Sequence, residues 1–164
     1  QICAKINEEF ATSDWTPVHL RLENHSKEDI YRFYRASDIC VVSSLHDGMN
    51  LVAKEFIAAR DDEKGVVILS RFAGAIKELP NCISVNPHDQ KDMVKAFLSA
   101  LSIPDNVQIE QMRSMREYLK HNNIFRWAGK ILADAAIIHK KQQLDELVDD
   151  LNSVGAEGYF HSRK

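Results

Sequence analysis

The stretch Asp47-Gly48-Met49-Asn50-Leu51-Val52-Ala53-Lys54-Glu55-Phe56 holds the residues best suited to chemistry. Gly48 lets the backbone approach a ligand closely or take φ > 0. From Asn50 onward, Leu51, Val52, Phe56, Ile57 and Ala59 recur at helical spacing, so a helix begins just after the glycine. A helix N-terminus offers unpaired N–H groups and a positive dipole end, which suit a phosphate. Glu55 falls about a turn and a half into that helix. Its carboxylate can accept hydrogen bonds from a sugar's hydroxyls, as the acidic residue of a dinucleotide site does. Two plainer alternatives stand beside this one. A glycine at a strand-to-helix turn also serves tight packing with no ligand, and Glu55 can pair along the helix surface, for instance with Arg60.

The elements that must position this stretch are legible around it. Ile39-Cys40-Val41-Val42 is a short, β-branched apolar run and reads as a buried strand within residues 38–43. Strand, turn and helix in that order put the turn at the carboxyl end of a parallel strand, where open α/β sheets bind ligands. Before it, Ile2, Ile6 and Phe10 predict an amphipathic helix over 1–11, and alternation over Val18-His19-Leu20-Arg21-Leu22 predicts a strand. Ser26 and Asp29 form an N-cap pattern for a helix over 27–36 that buries Ile30, Phe33 and Tyr34. After the motif helix over 49–60, residues 65–70 form an unalternating strand, hence one buried on both faces. A short helix ending at Leu79-Pro80 and a strand at Ile83-Ser84-Val85 follow. A helix over 90–102, capped by Asp89 or Asn86, turns Met93, Val94, Phe97, Leu98 and Leu101 inward. Pro104 stops it, and a helix over 105–121 carries Ile109, Met112, Met115 and Leu119.

The last helix is expected over about 124–152. Trp127, Ile131, Leu132, Ala135 and Ile138 form its packing face up to Lys140. Beyond that, Leu144, Leu147, Val148 and Leu151 are a thin stripe, suited to a helix that lies on a partner surface, a second copy of the chain included, or that projects from the body. Residues 153–164 are expected to be a flexible tail. The fold expected is therefore α/β: a Rossmann-like parallel sheet of four strands with flanking helices, one domain over 1–152.

Composition narrows the partners. With 21 basic against 24 acidic residues, the net charge of −3 gives no case for nucleic acid or an anionic membrane. No apolar run reaches the length of a membrane span. Cys3, Cys40 and Cys82 lie far apart, two of them in apolar strand-like runs, so free thiols in a reducing, cytoplasmic compartment are expected. The seven histidines show no HxxxH or HExxH spacing and there is no CxxC pair, so no metal site is expected. The chain opens Gln1-Ile2-Cys3 without an initiator Met, which suggests a piece of a longer protein.

As a string, the ten residues from Asp47 to Phe56 resemble the nucleotide-sugar motif of trehalose-6-phosphate synthases, retaining UDP-glucose-dependent glycosyltransferases of family 20 with a GT-B fold. The resemblance covers roughly residues 16–130. It includes Ala36-Ser37-Asp38 before the strand, Leu69-Ser70-Arg71-Phe72-Ala73-Gly74-Ala75, Val85-Asn86-Pro87 and Trp127-Ala128. It implies that the chain supplies most of the C-terminal, donor-binding half of a GT-B enzyme. The whole enzyme would transfer glucose from UDP-glucose to glucose 6-phosphate, giving trehalose 6-phosphate, without a metal or other cofactor. Carried over, the UDP-glucose-binding residues are His25 and Asp47, Gly48, Met49, Asn50, Leu51, Val52, Ala53, Lys54 and Glu55. The amides near Leu51 and Val52 would meet the pyrophosphate, and Glu55 the ribose. Asp47 to Asn50 would line the glucose, and the backbone at His25 would meet the uracil. No residue here is assigned a catalytic role, and within the stretch Lys54 is expected to be tied up in an ion pair.

The sequence departs from the family pattern in places. His46 stands where the family commonly has Arg, and Arg71 where it commonly has an acid. The family's N-terminal domain, which binds glucose 6-phosphate, and its phosphate-binding Arg/Lys pair have no counterpart in this chain, so the chain alone is expected to be inactive. The alternative function is a non-catalytic regulatory or assembly module that keeps the fold and binds partners through the last helix.

Overall fold

The computed structural model describes residues 1–161, the side chains of residue 150 and of 152–161 excepted. The described chain divides into two compact units, Gln1–Ser37 and Asp38–Lys164.

The first unit holds α1 (Ile2–Phe10) and α2 (Lys27–Ala36). Ser26 caps α2 as its spacing predicts, accepting from the Asp29 N–H at 3.1 Å and donating to the Asp29 carboxylate at 2.8 Å. The strand expected at residues 18–22 does not form. Alternation alone makes no strand, because a strand needs a neighbouring backbone. Here Val18 bonds the Asn7 amide instead, its N–H and C=O each at 2.9 Å, and Leu20 and Leu22 are exposed. The expected buried face of α2 is also incomplete. Phe33 is exposed, although its ring edge meets His25 at 5.4 Å.

The second unit is the α/β part. It contains β1 (Ile39–Val42), α3 (Leu51–Ala59), β2 (Val66–Ser70), a 3-10 turn (Gly74–Lys77) and β3 (Ile83–Val85). Then come α4 (Gln90–Ser102), α5 (Asp105–His121) and α6 (Ile124–His161). Among the described residues the sheet has three strands rather than the expected four, in order β1-β2-β3 and parallel throughout. Central β2 is buried at every position, which explains its unbroken apolar run.

The helices pack differently from their apolar patterns. Val94, Phe97, Leu98 and Leu101 of α4 are exposed, contrary to expectation, while Ala96 and Ala100 are buried. Small side chains let this helix approach closely, and the alanines join Val66, Ile68 and Val85 in one core cluster, with Met93 and Ile103 at its edge. On α5 the expected face forms, with Met112 and Met115 buried. Of the described side chains of α6 only Ala128 is half-buried, so the expected packing face at Trp127, Ile131, Leu132, Ala135 and Ile138 lies exposed. Nothing in the described chain covers it. Its backbone runs past 152 to His161, and residues 162–164 of the expected tail lie outside the described residues.

Candidate functional site

Asp47 to Glu55 sit at the carboxyl end of β1, as the strand-turn-helix order requires. The turn extends the sheet beyond its strand ends: Asp47 makes an isolated parallel bridge to Ala73. The Asp47 N–H donates to the Phe72 carbonyl at 3.3 Å, and the Asp47 carbonyl accepts from the Gly74 N–H at 2.8 Å. The Met49 carbonyl accepts from the Ala75 N–H at 3.0 Å.

Inside the turn the side chains form a relay. One carboxylate oxygen of Asp47 accepts the N–H groups of Met49 at 3.1 Å and Asn50 at 2.9 Å, and the other accepts the Asn50 amide at 2.8 Å. Asn50, buried, in turn accepts the Ala53 N–H at 3.0 Å and so caps α3. These bonds, the Asn50 amide first, hold the Asp47 carboxyl below its usual value. The positive φ of the turn falls on Asn50, at 64°, and not on Gly48. Asn tolerates this left-handed region because its short side chain bonds locally. Gly48 instead has open space where a Cβ would stand.

The cap satisfies Ala53 and leaves the N–H groups of Leu51 and Val52 with no bond back to the chain among the described residues. Glu55 lies on the next turn, exposed. Leu51, Val52 and Met49 are exposed as well, although the helical pattern predicted Leu51 and Val52 on the buried side; Ala53, Phe56 and Ile57 are buried instead. Two amides, a carboxylate one turn on and an apolar surround can together hold a phosphate and a diol. Lys54 does form an ion pair, to Glu78 at 2.6 Å. His25 belongs to the first unit, beside a cleft of about 480 Å³ lined by His19, Arg21 and Phe33, and its Nε2 is buried without a partner.

A sequence profile described as glycosyltransferase family 20 matches residues 1–137. The chain belongs to glycosyltransferase family 20.

Among relatives in family 20, the trehalose-6-phosphate synthase of Klebsiella pneumoniae is 35% identical over 87% of this chain and 30% of its own length. The glucosylglycerol-phosphate synthase of Pseudomonas anguilliseptica is 37% identical over 88% of this chain and 19% of its own. A solved Escherichia coli structure described as trehalose-6-phosphate bound with UDP-2-fluoro glucose superposes with a TM-score of 0.77 at 34% identity, over 80% of this chain and 30% of that one. The chain thus spans less than a third of the length of these relatives. The parallel sheet with flanking helices matches the fold of the solved trehalose-phosphate synthases.

The sequence missed the Gly74-Ala75 segment as part of this site. It was legible as family resemblance but carried no role. The signal available was the paired glycines, Gly48 and Gly74, each just past the end of a parallel strand. Among the described residues no group of three His, Cys, Asp or Glu is disposed to hold a metal, and no helix is long and apolar enough to cross a membrane.

Proposed function

We propose that this chain is the UDP-glucose-binding part of a retaining glucosyltransferase that makes trehalose 6-phosphate from UDP-glucose and glucose 6-phosphate. The observation that carries the reading is the capped start of α3, where the amides of Leu51 and Val52 stand unbonded one turn before Glu55. In this reading the two amides hold the donor's pyrophosphate and Glu55 accepts from the ribose hydroxyls. Asp47 to Asn50 shape the glucose pocket. Departure of UDP is then aided by fixed N–H dipoles, with no metal and no covalent carboxylate intermediate. The free state of Cys3, Cys40 and Cys82 fits work in the cytoplasm, where thiols stay reduced.

The relatives support the donor more firmly than the acceptor. One is named for trehalose 6-phosphate and another for glucosylglycerol phosphate, at similar identity to this chain. One solved relative is bound with UDP-2-fluoro glucose, an analogue of the donor. The acceptor assignment to glucose 6-phosphate follows the trehalose-phosphate names and the resemblance of the motif.

Titration of the chain with UDP-glucose, followed by NMR, tests the reading. The amides of Gly48 to Val52 are expected to shift first, with a dissociation constant of about 1 mM, the scale of a site short of charge-assisted phosphate bonds. Shifts clustered in α6 instead would favour the non-catalytic module that binds through that helix, whose exposed Leu144, Leu147 and Leu151 are the observation in its favour.

A further inference from the structure

We infer that residues 73–79 are a positioning device for the donor site, with Gly74 and Glu78 as its two decisive residues; the inference rests on the reading of residues 47–55 as that site. The turn after β1 is shaped from inside by Asp47 and Asn50, but its place is set from outside. Gly74 and Ala75 donate to the carbonyls of Asp47 and Met49, at 2.8 and 3.0 Å. These bonds occupy the turn's carbonyls and fix its peptide planes. A Cβ added at Gly74 would lie 2.0 Å from the Gly48 carbonyl oxygen and 2.9 Å from its carbon. Both atoms are backbone, so neither can swing aside. Only glycine lets this segment seat at the turn's back.

Glu78 does the same for the helix. Its carboxylate holds Lys54 Nζ at 2.6 Å, with Lys54 mostly buried. Lys54 is in the first turn of α3, two residues after Val52 and directly before Glu55. Leu51, Val52 and Glu55 ride on one short rigid helix, so a tilt or rotation at Lys54 moves all three together. A half-exposed ion pair adds little to stability. A small displacement of site groups costs far more, up to about a hundredfold for 1 Å. The pair therefore acts on ligand binding and scarcely on folding, which separates it from an ordinary surface ion pair.

The experiment measures UDP binding to this chain by NMR titration, together with thermal unfolding. The parent is expected to show shifts at residues 48–52. Glu78→Gln is expected to weaken UDP binding about tenfold, from lost alignment, with the melting temperature lowered by no more than about 4 °C. Lys54→Gln is expected to match it, and the double variant to be no worse than either, because the two act as one unit. The reversed pair, Lys54→Glu with Glu78→Lys, is expected to bind within about threefold of the parent. Gly74→Ala is expected to lose the Leu51 and Val52 shifts, whether by displacement or by unfolding. If the parent binds and Glu78→Gln keeps its dissociation constant, the inference is overturned while the donor site stands. If Lys54→Gln is much worse than Glu78→Gln and reversal fails to rescue, Lys54 touches the ligand itself and the positioning role falls. If the parent shows no shift at residues 48–52, the donor site is wrong and the inference falls with it.

Discussion

The turn after β1 and the helix α6 belong to the same compact unit and are built on opposite terms. In the turn the Asp47 and Asn50 side chains and two backbone carbonyls are bonded, and the Leu51 and Val52 N–H groups stay open. Asp47 accepts three hydrogen bonds, Asn50 gives and takes, and the neighbouring segment closes both carbonyls. Among the described side chains of α6 the large apolar ones lie open, among them Phe125, Leu132, Ile137 and Leu151. The turn shows how a strained conformation is held: the left-handed Asn50 persists because its surroundings over-determine it. The helix shows what propensity and length alone provide, a regular backbone whose apolar stripe awaits a cover.

The largest expected effect breaks the support under the turn. Ile68 and Leu69, at 0% exposure on the central strand, hold β1 and β3 in register on either side. Truncating either to Ala leaves a cavity in a closely packed core and is expected to cost about 3 kcal/mol. Chemical denaturation measures it, and a loss below about 1 kcal/mol would mean that the sheet is not the foundation of the site.

Next comes Glu55. If the proposed donor site is right, then in an enzyme that joins this chain to an acceptor-binding domain Glu55→Gln keeps the shape and one acceptor oxygen but loses the charge. Lost charge-assisted bonds in a dry site are expected to lower kcat/KM for UDP-glucose by about 2–4 kcal/mol, with the fold intact. A surface role for Glu55 predicts only about 0.3–0.5 kcal/mol, roughly a twofold change. Kinetics with the donor varied separate the two.

The pH dependence of the turn follows from Asp47. Its carboxyl is held below the usual value, chiefly by the Asn50 amide and then by the Met49 N–H. A lowered folded value means that the ionised form is the one the fold prefers. Its contribution is complete above the ordinary aspartate value of about 4 and is lost as pH falls through the lower folded value. Binding of UDP-glucose, whose pyrophosphate diester does not titrate in this range, is therefore expected to hold steady from neutrality down to about pH 5 and to fail only in stronger acid. An NMR titration of the Asp47 carboxyl carbon should give a midpoint below that of an unstructured aspartate. A midpoint above it would mean that the relay to Asn50 is not formed in solution.

Much of this was legible in the sequence, for reasons that differ by element. β2 announced itself because a strand buried on both faces needs no alternation, and the caps at Ser26 and Asp89 follow local rules that context does not override. The motif turn was placed at the right strand end. Gly48 read as free either to approach a ligand closely or to take φ > 0; the positive φ falls on Asn50, which the Asp47 side chain bonds, and Gly48 has open space where a Cβ would stand. The inward face of α4 was misassigned because large apolar residues outweigh alanines in a pattern, whereas close helix-to-sheet approach selects the alanines. Residues 18–22 alternate like a strand, but alternation carries no information about whether a neighbouring backbone is present. For Gly74 the sequence offered only a second glycine past a strand end; the reason for it, a contact across the sheet with Gly48, exists only in the fold.

The smallest expected effect sharpens the comparison most. Leu144 and Leu147 of α6 are 53% and 58% exposed. Replacing each with Ala removes little packing and substitutes the better helix former, so the change in stability is expected to stay within about 0.5 kcal/mol. The same truncation in β2 is expected to cost several times more, though the residues removed are equally apolar. The measurement is the melting temperature of both variants at low and high protein concentration. If the stripe is uncovered, the variants track the parent at every concentration. If a second copy covers it, the parent's melting temperature rises with concentration and the variants lose that rise, because association stabilises the folded chain by mass action. That second outcome would make α6 a bonded region like the turn, its cover supplied from outside the chain, and would end the contrast between them.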